Sequence, residues 1–289
     1  MLIVSLNDKS KLNILNTLVD GIVVYTNDFS SFYNVSYTLE DILDIYENRG
    51  NLKVFIDLSI MCENKDINAI SLFLDKLEGK EFYFIYSDLG IHQLLKDKGL
   101  ENRGIYNPHT LITNQYDAAF YLKDNMLSCA VSLEIPVSDQ KIISEYNNHN
   151  IFLKSFGYHQ MFYSKRHLLT LYKEHKNLDY KIDNQNSYLR EIKRENDFFH
   201  VYETNKGTIL FRNYIINYLD SLDIINPRFI FLDNIFIANE IFDKVILIYS
   251  NYLNKIITKE DAIKEICALN LDTKDEFKYK DSVYQKEEF

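Results

Sequence analysis

Tryptophan is absent from this 289-residue sequence, and proline (3), cysteine (3) and glycine (8) are scarce. Cys62, Cys129 and Cys267 are odd in number, lie far apart and form no Cys-x-x-Cys. That excludes a disulfide scaffold and any sequence-local zinc or iron–sulfur motif, and a reducing, cytoplasmic setting is expected. With so few glycines, neither Gly-x-Gly-x-x-Gly nor a P-loop occurs. Long apolar runs are missing too. The greasiest stretch, 229–253, is broken by Asp233, Asn234, Asn239, Glu240, Asp243 and Lys244, so no membrane span is expected. The first eight residues lack a basic region and a long apolar core, so no signal peptide is expected. Positive charge is in deficit: 32 Lys and Arg against 42 Asp and Glu leave −10. Bulk charge therefore argues against a general polyanion binder but leaves room for a local basic face.

What is present is a 46% hydrophobic chain long enough to bury a core without disulfides or a structural metal. The 22 tyrosines and 19 phenylalanines accompany many Lys, Asn and Ile, a pattern of nucleotide bias rather than of an aromatic binding surface. Short runs rich in Val, Ile, Phe and Tyr recur at 2–6, 21–26, 53–58, 82–87, 103–106, 129–133, 151–156 and 228–232. Stretches at helical spacing separate them, at 9–19, 39–47, 66–77, 91–98, 114–123 and 138–147, with start signals at Thr38, Asn114 and Ser138. Eight strands alternating with helices predict an α/β fold, a TIM-type (β/α)8 barrel, with an open doubly wound sheet as competitor. About seventy residues separate the last two strands. Within them, 188–211 predicts an antiparallel hairpin or meander turning at Asn205–Gly207, an insertion between strands 7 and 8. The barrel is expected over 1–255, followed at 256–289 by a helical extension and a charged tail, frayed from Lys274.

In a barrel, chemistry gathers at the C-terminal strand ends. Those ends carry Asn7/Asp8, Asn27/Asp28, Asp57, Asp88, Asn107, Glu134, Tyr158/His159 and Asp233/Asn234. Such residues either line a pocket or simply start βα loops and cap helices. Asp57, Asp88, Asn107 and Asp233 are taken as ligand-binding candidates, and Glu134 and His159 as catalytic ones. A carboxylate at a buried strand end needs a partner or a shifted pKa. Glu134 is thus either an acid/base or ligand anchor, or one half of a bracing ion pair with Arg166 or Lys154. His159 and His167 lie eight apart, with neither His-x-x-x-His nor a nearby cysteine, so no metal site is expected. Asn107-Pro-His-Thr110 reads as a turn capping the next helix. Between Lys154 and Arg194 stand nine basic and four acidic residues. This is either a phosphate- or carboxylate-binding face, with Arg166, His167, Arg190 and Arg194 as candidates, or a solvated surface.

Several motifs, in order, resemble the peptidase U32 family. They are Asp88-Leu-Gly90, Tyr106-Asn-Pro-His-Thr-Leu-Ile-Thr-Asn114, Val131-Ser-Leu-Glu-Ile-Pro136, the run from Phe156 to Thr170, Leu189-Arg-Glu-x-x-Arg194 and Gly207-Thr208. The resemblance implies a TIM-type barrel. It also implies a role like that of relatives that hydroxylate without oxygen, some acting on the tRNA wobble uridine with prephenate as co-substrate, others on a ribosomal RNA cytidine or the ubiquinone ring. Several relatives work as heteromers of two paralogues and carry a four-cysteine iron–sulfur cluster. Here Arg166-His-Leu-Leu-Thr170 stands where many have Arg-Cys-Leu-Leu-Ser, which argues against a cluster on this chain. The sequence looks most like the short member of the two-paralogue tRNA hydroxylation set of Gram-positive bacteria, so a longer U32 paralogue and tRNA are the expected partners. The rival expectations are a peptidase, for which no nucleophile–base pair can be named, and a non-catalytic scaffold for the paralogue.

Overall fold

The short β-branched and aromatic runs do pair in parallel, and the sheet they form closes on itself. The computed structural model describes residues 1–275 and 277–280, with the backbone alone for Glu191, Arg194 and Glu195. Along the first half run β1 (Leu2–Ser5), α1 (Leu12–Leu18), β2 (Gly21–Tyr25), α2 (Leu39–Asn48), β3 (Lys53–Leu58), α3 (Asn64–Asp75), β4 (Phe82–Tyr86) and α4 (Leu89–Asp97). There follow β5 (Gly104–Tyr106), α5 (Gln115–Leu122), β6 (Ser128–Ala130), α6 (Val137–Tyr146), β7 (Ile151–Ser164) and α7 (Leu168–His175). The insertion supplies β8 (Tyr188–Glu191), β9 (Arg194–Thr204) and β10 (Gly207–Asn217). The chain then runs through α8 (Leu222–Ile225), β11 (Phe229–Leu232), α9 (Asn239–Leu253) and α10 (Lys259–Ala268). Strands β1 to β7 are neighbours in order, and β11 pairs in parallel with both β1 and β7. This is a closed TIM-type barrel of eight parallel strands, with β8–β10 added between the seventh and eighth.

Alternation sends every second strand residue inward. Ile3, Val23, Phe55, Ile85, Ile105, Phe152 and Phe229 fill the barrel's interior, almost wholly buried. A larger apolar layer fills the space between strands and helices. Each fully buried side chain of this size contributes about 1.5–3 kcal/mol. Thr38 starts α2 with a capping box to Asp41, and Asn114 caps α5. Ser138 does not start α6. That helix begins at Val137 behind Pro136, whose fixed φ suits a helix entry.

The seventh strand departs most from expectation. It does not stop at Phe156 but runs on to Ser164, leaving the barrel to pair with β10 antiparallel. Gly157 permits the departure: its φ is +128°, and a Cβ there would sit 2.6 Å from the Asp233 carbonyl oxygen. The β9–β10 hairpin turns at Asn205 and Lys206 as expected and packs over the barrel mouth. Phe32, Tyr202, Ile209, Phe211 and Ile235 form that contact, and the Tyr202 hydroxyl donates to the Tyr33 carbonyl at 2.9 Å. Glu203 of β9 accepts the Leu169 and Thr170 amides, so the hairpin caps α7. The tail is not frayed at Lys278. That residue is buried, pairing with Asp220 at 2.7 Å and Asp275 at 3.0 Å.

Candidate functional site

Parallel strands present their C-terminal ends to one mouth, and here it holds a hollow of about 40 Å³. Val23, Ile85, Phe152 and Phe231 from the inner layer line it, with Asp57, Asn107, His109, Lys154, His159, Gln160 and Asp233. A second cavity of about 290 Å³ lies alongside, walled by Met61, Asp88, Leu111, Met161 and Phe162 among others. The two share Ser59, His109 and Gln160.

Two buried carboxylates face the hollow in different states. Asp233 is neutralised: Lys154 Nζ lies 2.6 Å from its Oδ2, and the Tyr25 hydroxyl donates to its Oδ1 at 3.2 Å. Lys154 also donates to the Tyr158 carbonyl at 2.7 Å. Asp57 shares the inward face of β3 with Phe55 and has no cation within ion-pair distance among the described residues. Its Oδ1 accepts from the Ser59 hydroxyl at 2.6 Å and the Ser59 amide at 3.2 Å. Burial pushes the Asp57 carboxyl up to about 7, the Asp233 charge adds to that, and the serine hydrogen bonds oppose it. Ser59 Oγ lies 2.8 Å from Ser31 Oγ, extending the polar chain outward.

Two imidazoles flank these acids. His109 follows Pro108 in the left-handed region, φ +60°, with its amide donating to Asn107 Oδ1 at 3.3 Å. Burial pushes it down to about 3, helped by His159 and Lys154. His159 is held below its ordinary value by burial, against the pull of Glu134. Both rings are therefore neutral near pH 7. His159 and its neighbour Gln160 both line the hollow, although successive strand residues normally face opposite ways. The register is irregular on both sides of Gln160: Met161 is an extra residue of β7 between the Phe162–Leu210 and Gln160–Phe211 pairs, and β10 has two extra residues between Phe211 and Ile215. Bulges of this kind re-aim side chains beside functional sites.

Glu134 stands just behind His159, its Oε1 3.8 Å from His159 Nε2. Its partner is neither Arg166 nor Lys154, as the sequence suggested, but Arg212 of β10, at 3.0 Å. His159 and Arg212 together hold the Glu134 carboxyl below the usual range, against partial burial. Glu134 reaches the hollow through His159 rather than lining it. Of the expected ligand-binding residues, Asp57, Asn107 and Asp233 line the hollow. Asp88 borders the second cavity, but its carboxylate accepts the Gly90 and Cys62 amides and caps α4. Asn7, Asn27 and Asn234 tie loops together. The Asn107–Thr110 turn does not cap α5, which Asn114 does; it brings His109 to both cavities instead. Arg166, His167 and Arg190 are exposed and line neither cavity. Arg194 begins β9, and its side chain lies outside the described residues.

The four-cysteine cluster implied by the resemblance does not fit these donors. Cys129 is buried in the β6 wall, Cys62 lies beyond β3, and Cys267 is exposed on α10. Burial pushes both the Cys62 and Cys129 thiols up to about 12, unlike metal-bound thiolates. Among the described residues no three His, Cys, Asp or Glu side chains come together as a metal site, and no helix is long and apolar enough to cross a membrane.

No curated protein matches the chain. Among solved structures, the U32 peptidase Mk0906 is similar at 14% identity and TM-score 0.49, over 80% of this chain and 91% of that one. N-(5'-phosphoribosyl)anthranilate isomerase from Pyrococcus furiosus is similar at 12% identity and TM-score 0.44, over 81% and 87%. The family model described as peptidase family U32 matches residues 19–288, nearly the whole barrel and its insertion, and the chain belongs to that family.

Proposed function

We propose that this protein takes part in hydroxylating the wobble uridine of tRNA to 5-hydroxyuridine, beside a longer member of its family, with the barrel mouth as its binding site. The observation that carries this reading is the form of the mouth. A hollow of about 40 Å³ beside a cavity of about 290 Å³, the two sharing Ser59, His109 and Gln160, suits one small flat ring rather than an extended polypeptide. Two further features support it. The motifs from Asp88 to Thr208 resemble those of the U32 family in order, and relatives in that family hydroxylate tRNA. The outer segment exposes Arg166, His167 and Arg190, as a phosphate backbone requires. Prephenate, the co-substrate the resemblance implies, carries two carboxylates, whereas the Lys154 charge is already neutralised by Asp233. On this reading prephenate is held outside the inner hollow. Mass spectrometry of tRNA nucleosides from a strain lacking the gene is expected to show loss of 5-hydroxyuridine derivatives, restored by the wild-type gene. An unchanged nucleoside profile would overturn the reading.

One observation favours peptide hydrolysis as a second reading. Ser59 and Asp57 form a hydroxyl–carboxylate pair at 2.6 Å on the cavity wall, the kind of pair that activates a nucleophile. Cleavage of a defined peptide by the purified protein, abolished in Ser59→Ala, would establish that reading; no cleavage across a peptide panel would remove it.

A further inference from the structure

Gln160 and His159 present polar atoms that the protein itself leaves unanswered. Gln160 is 6% exposed and His159 4%, yet Gln160 Oε1 and His159 Nε2 have no hydrogen-bond partner among the described residues. The nearest carboxylate oxygen to His159 Nε2 among the described residues, on Glu134, is 3.8 Å away, too long for a full hydrogen bond although close enough to hold that carboxyl low. Leaving such atoms buried and unsatisfied is unfavourable, and native proteins rarely do it without a ligand, a water or a catalytic role. Both residues line the hollow, beside the register irregularity of β7 and β10, which ties the orphaned atoms to the site.

The charge balance then narrows the ligand. Lys154 is paired with Asp233, both histidines are held neutral by burial, and Asp57 can only add negative charge. A carboxylate or phosphate entering the hollow would meet no unpaired cation among its lining residues. The faces of the second cavity, Met61, Leu111, Met161 and Phe162, are apolar and suited to a flat ring. A primary carboxamide offers an acceptor and a donor side by side, and its natural complement is another amide edge.

We propose that Gln160, with His159 beside it, reads an uncharged flat ring bearing a cyclic amide edge, the ring lying in the second cavity and the edge pointing into the hollow. The inference rests on the reading of this mouth as the functional site, but it does not require that the ring belong to RNA.

The probes are 2-pyridone, a flat lactam; N-methyl-2-pyridone, the same ring without its donor; and benzoate, a flat anion. Binding to the full chain is measured by ligand-observed NMR or calorimetry. The expected result is that 2-pyridone binds, that N-methylation weakens it about tenfold or more, and that benzoate is weakest. In Gln160→Met, 2-pyridone is expected to weaken by about tenfold and the discrimination between the two lactams to disappear. The wild-type comparison needs no substitution, so the test stands even if that variant folds poorly. Equal binding of the two lactams, tighter binding of benzoate, or no detectable binding of any ring would each overturn the proposal. Lactam discrimination together with unchanged tRNA nucleosides in the deletion strain would sink the tRNA reading and leave the amide-edge reader standing. Absence of 5-hydroxyuridine from that strain, with no lactam discrimination, would do the reverse.

Discussion

In the hollow, Lys154 is engaged by Asp233 at 2.6 Å, with 16% of the lysine side chain and 1% of the aspartate exposed. On the outer face of the insertion, Arg166 and Arg190 stand in solvent and no carboxylate among the described residues pairs with either. The inner cation is part of the fold's own charge balance and is not free for a ligand. The outer ones are in solvent, where a charge contributes little to folding. Counting basic residues along the chain therefore misleads, because burial decides which of them can recognise an anion.

The sharpest way to break this contrast is Lys154→Met, which leaves Asp233 buried without its cation. A loss of as much as about 5 kcal/mol is expected, seen as a large fall in the urea midpoint. A shift no larger than that of a surface substitution would refute the contrast. Next comes Asp57. Its carboxyl is raised in the folded protein, to about 7 from an unfolded 3.8, so the folded state holds a proton that the unfolded state releases. Stability is then highest below pH 4 as far as this group is concerned and falls as pH rises toward 7 and above, by about 4 kcal/mol in all. Asp57→Asn should flatten that part of the stability–pH curve, which urea titrations between pH 4 and 8 would show. Glu134→Gln removes a half-exposed partner of Arg212, and solvent screening limits the expected cost to about 1 kcal/mol by the same measurement. The smallest effect on stability belongs to the outer face. Arg166→Ala and Arg190→Ala should change folding by less than about 0.5 kcal/mol. They should nonetheless weaken tRNA binding and lower its salt slope by about 0.7–0.9 for each phosphate no longer neutralised. An unchanged slope in both variants would show that this face does not bind a phosphate backbone.

Much of the barrel was legible because its signals are local. Parallel strands buried on both sides read as short apolar runs, the Thr38 box and the Asn114 cap lie within three residues of their partners, and Asn205–Gly207 is a turn by composition. The strand ends located Asp57, Asn107, Asp233 and His159 at the mouth for the same reason. What escaped depends on contacts distant in sequence. Arg212 meets Glu134 across 78 residues, and Lys154 meets Asp233 across 79. His109 looked like part of a simple turn, although an Asn-Pro-His run that places a histidine at positive φ was the available signal. Gln160 gave none, because it lies on the part of β7 that pairs irregularly with β10, a strand about fifty residues further on, and its own neighbours do not mark it. The length of β7 was hidden by Gly157, which looks like a strand end and is instead a bend forced by close backbone approach.

That bend makes β7 both a stave of the barrel and the root of the structure above it. The cover over the mouth is therefore not a flap on a slack tether: the hairpin is hydrogen-bonded through β10 to the strand that carries Gln160, His159 and Lys154. One strand thus ties the insertion's sheet to the deepest charges of the site, Lys154 and its partner Asp233.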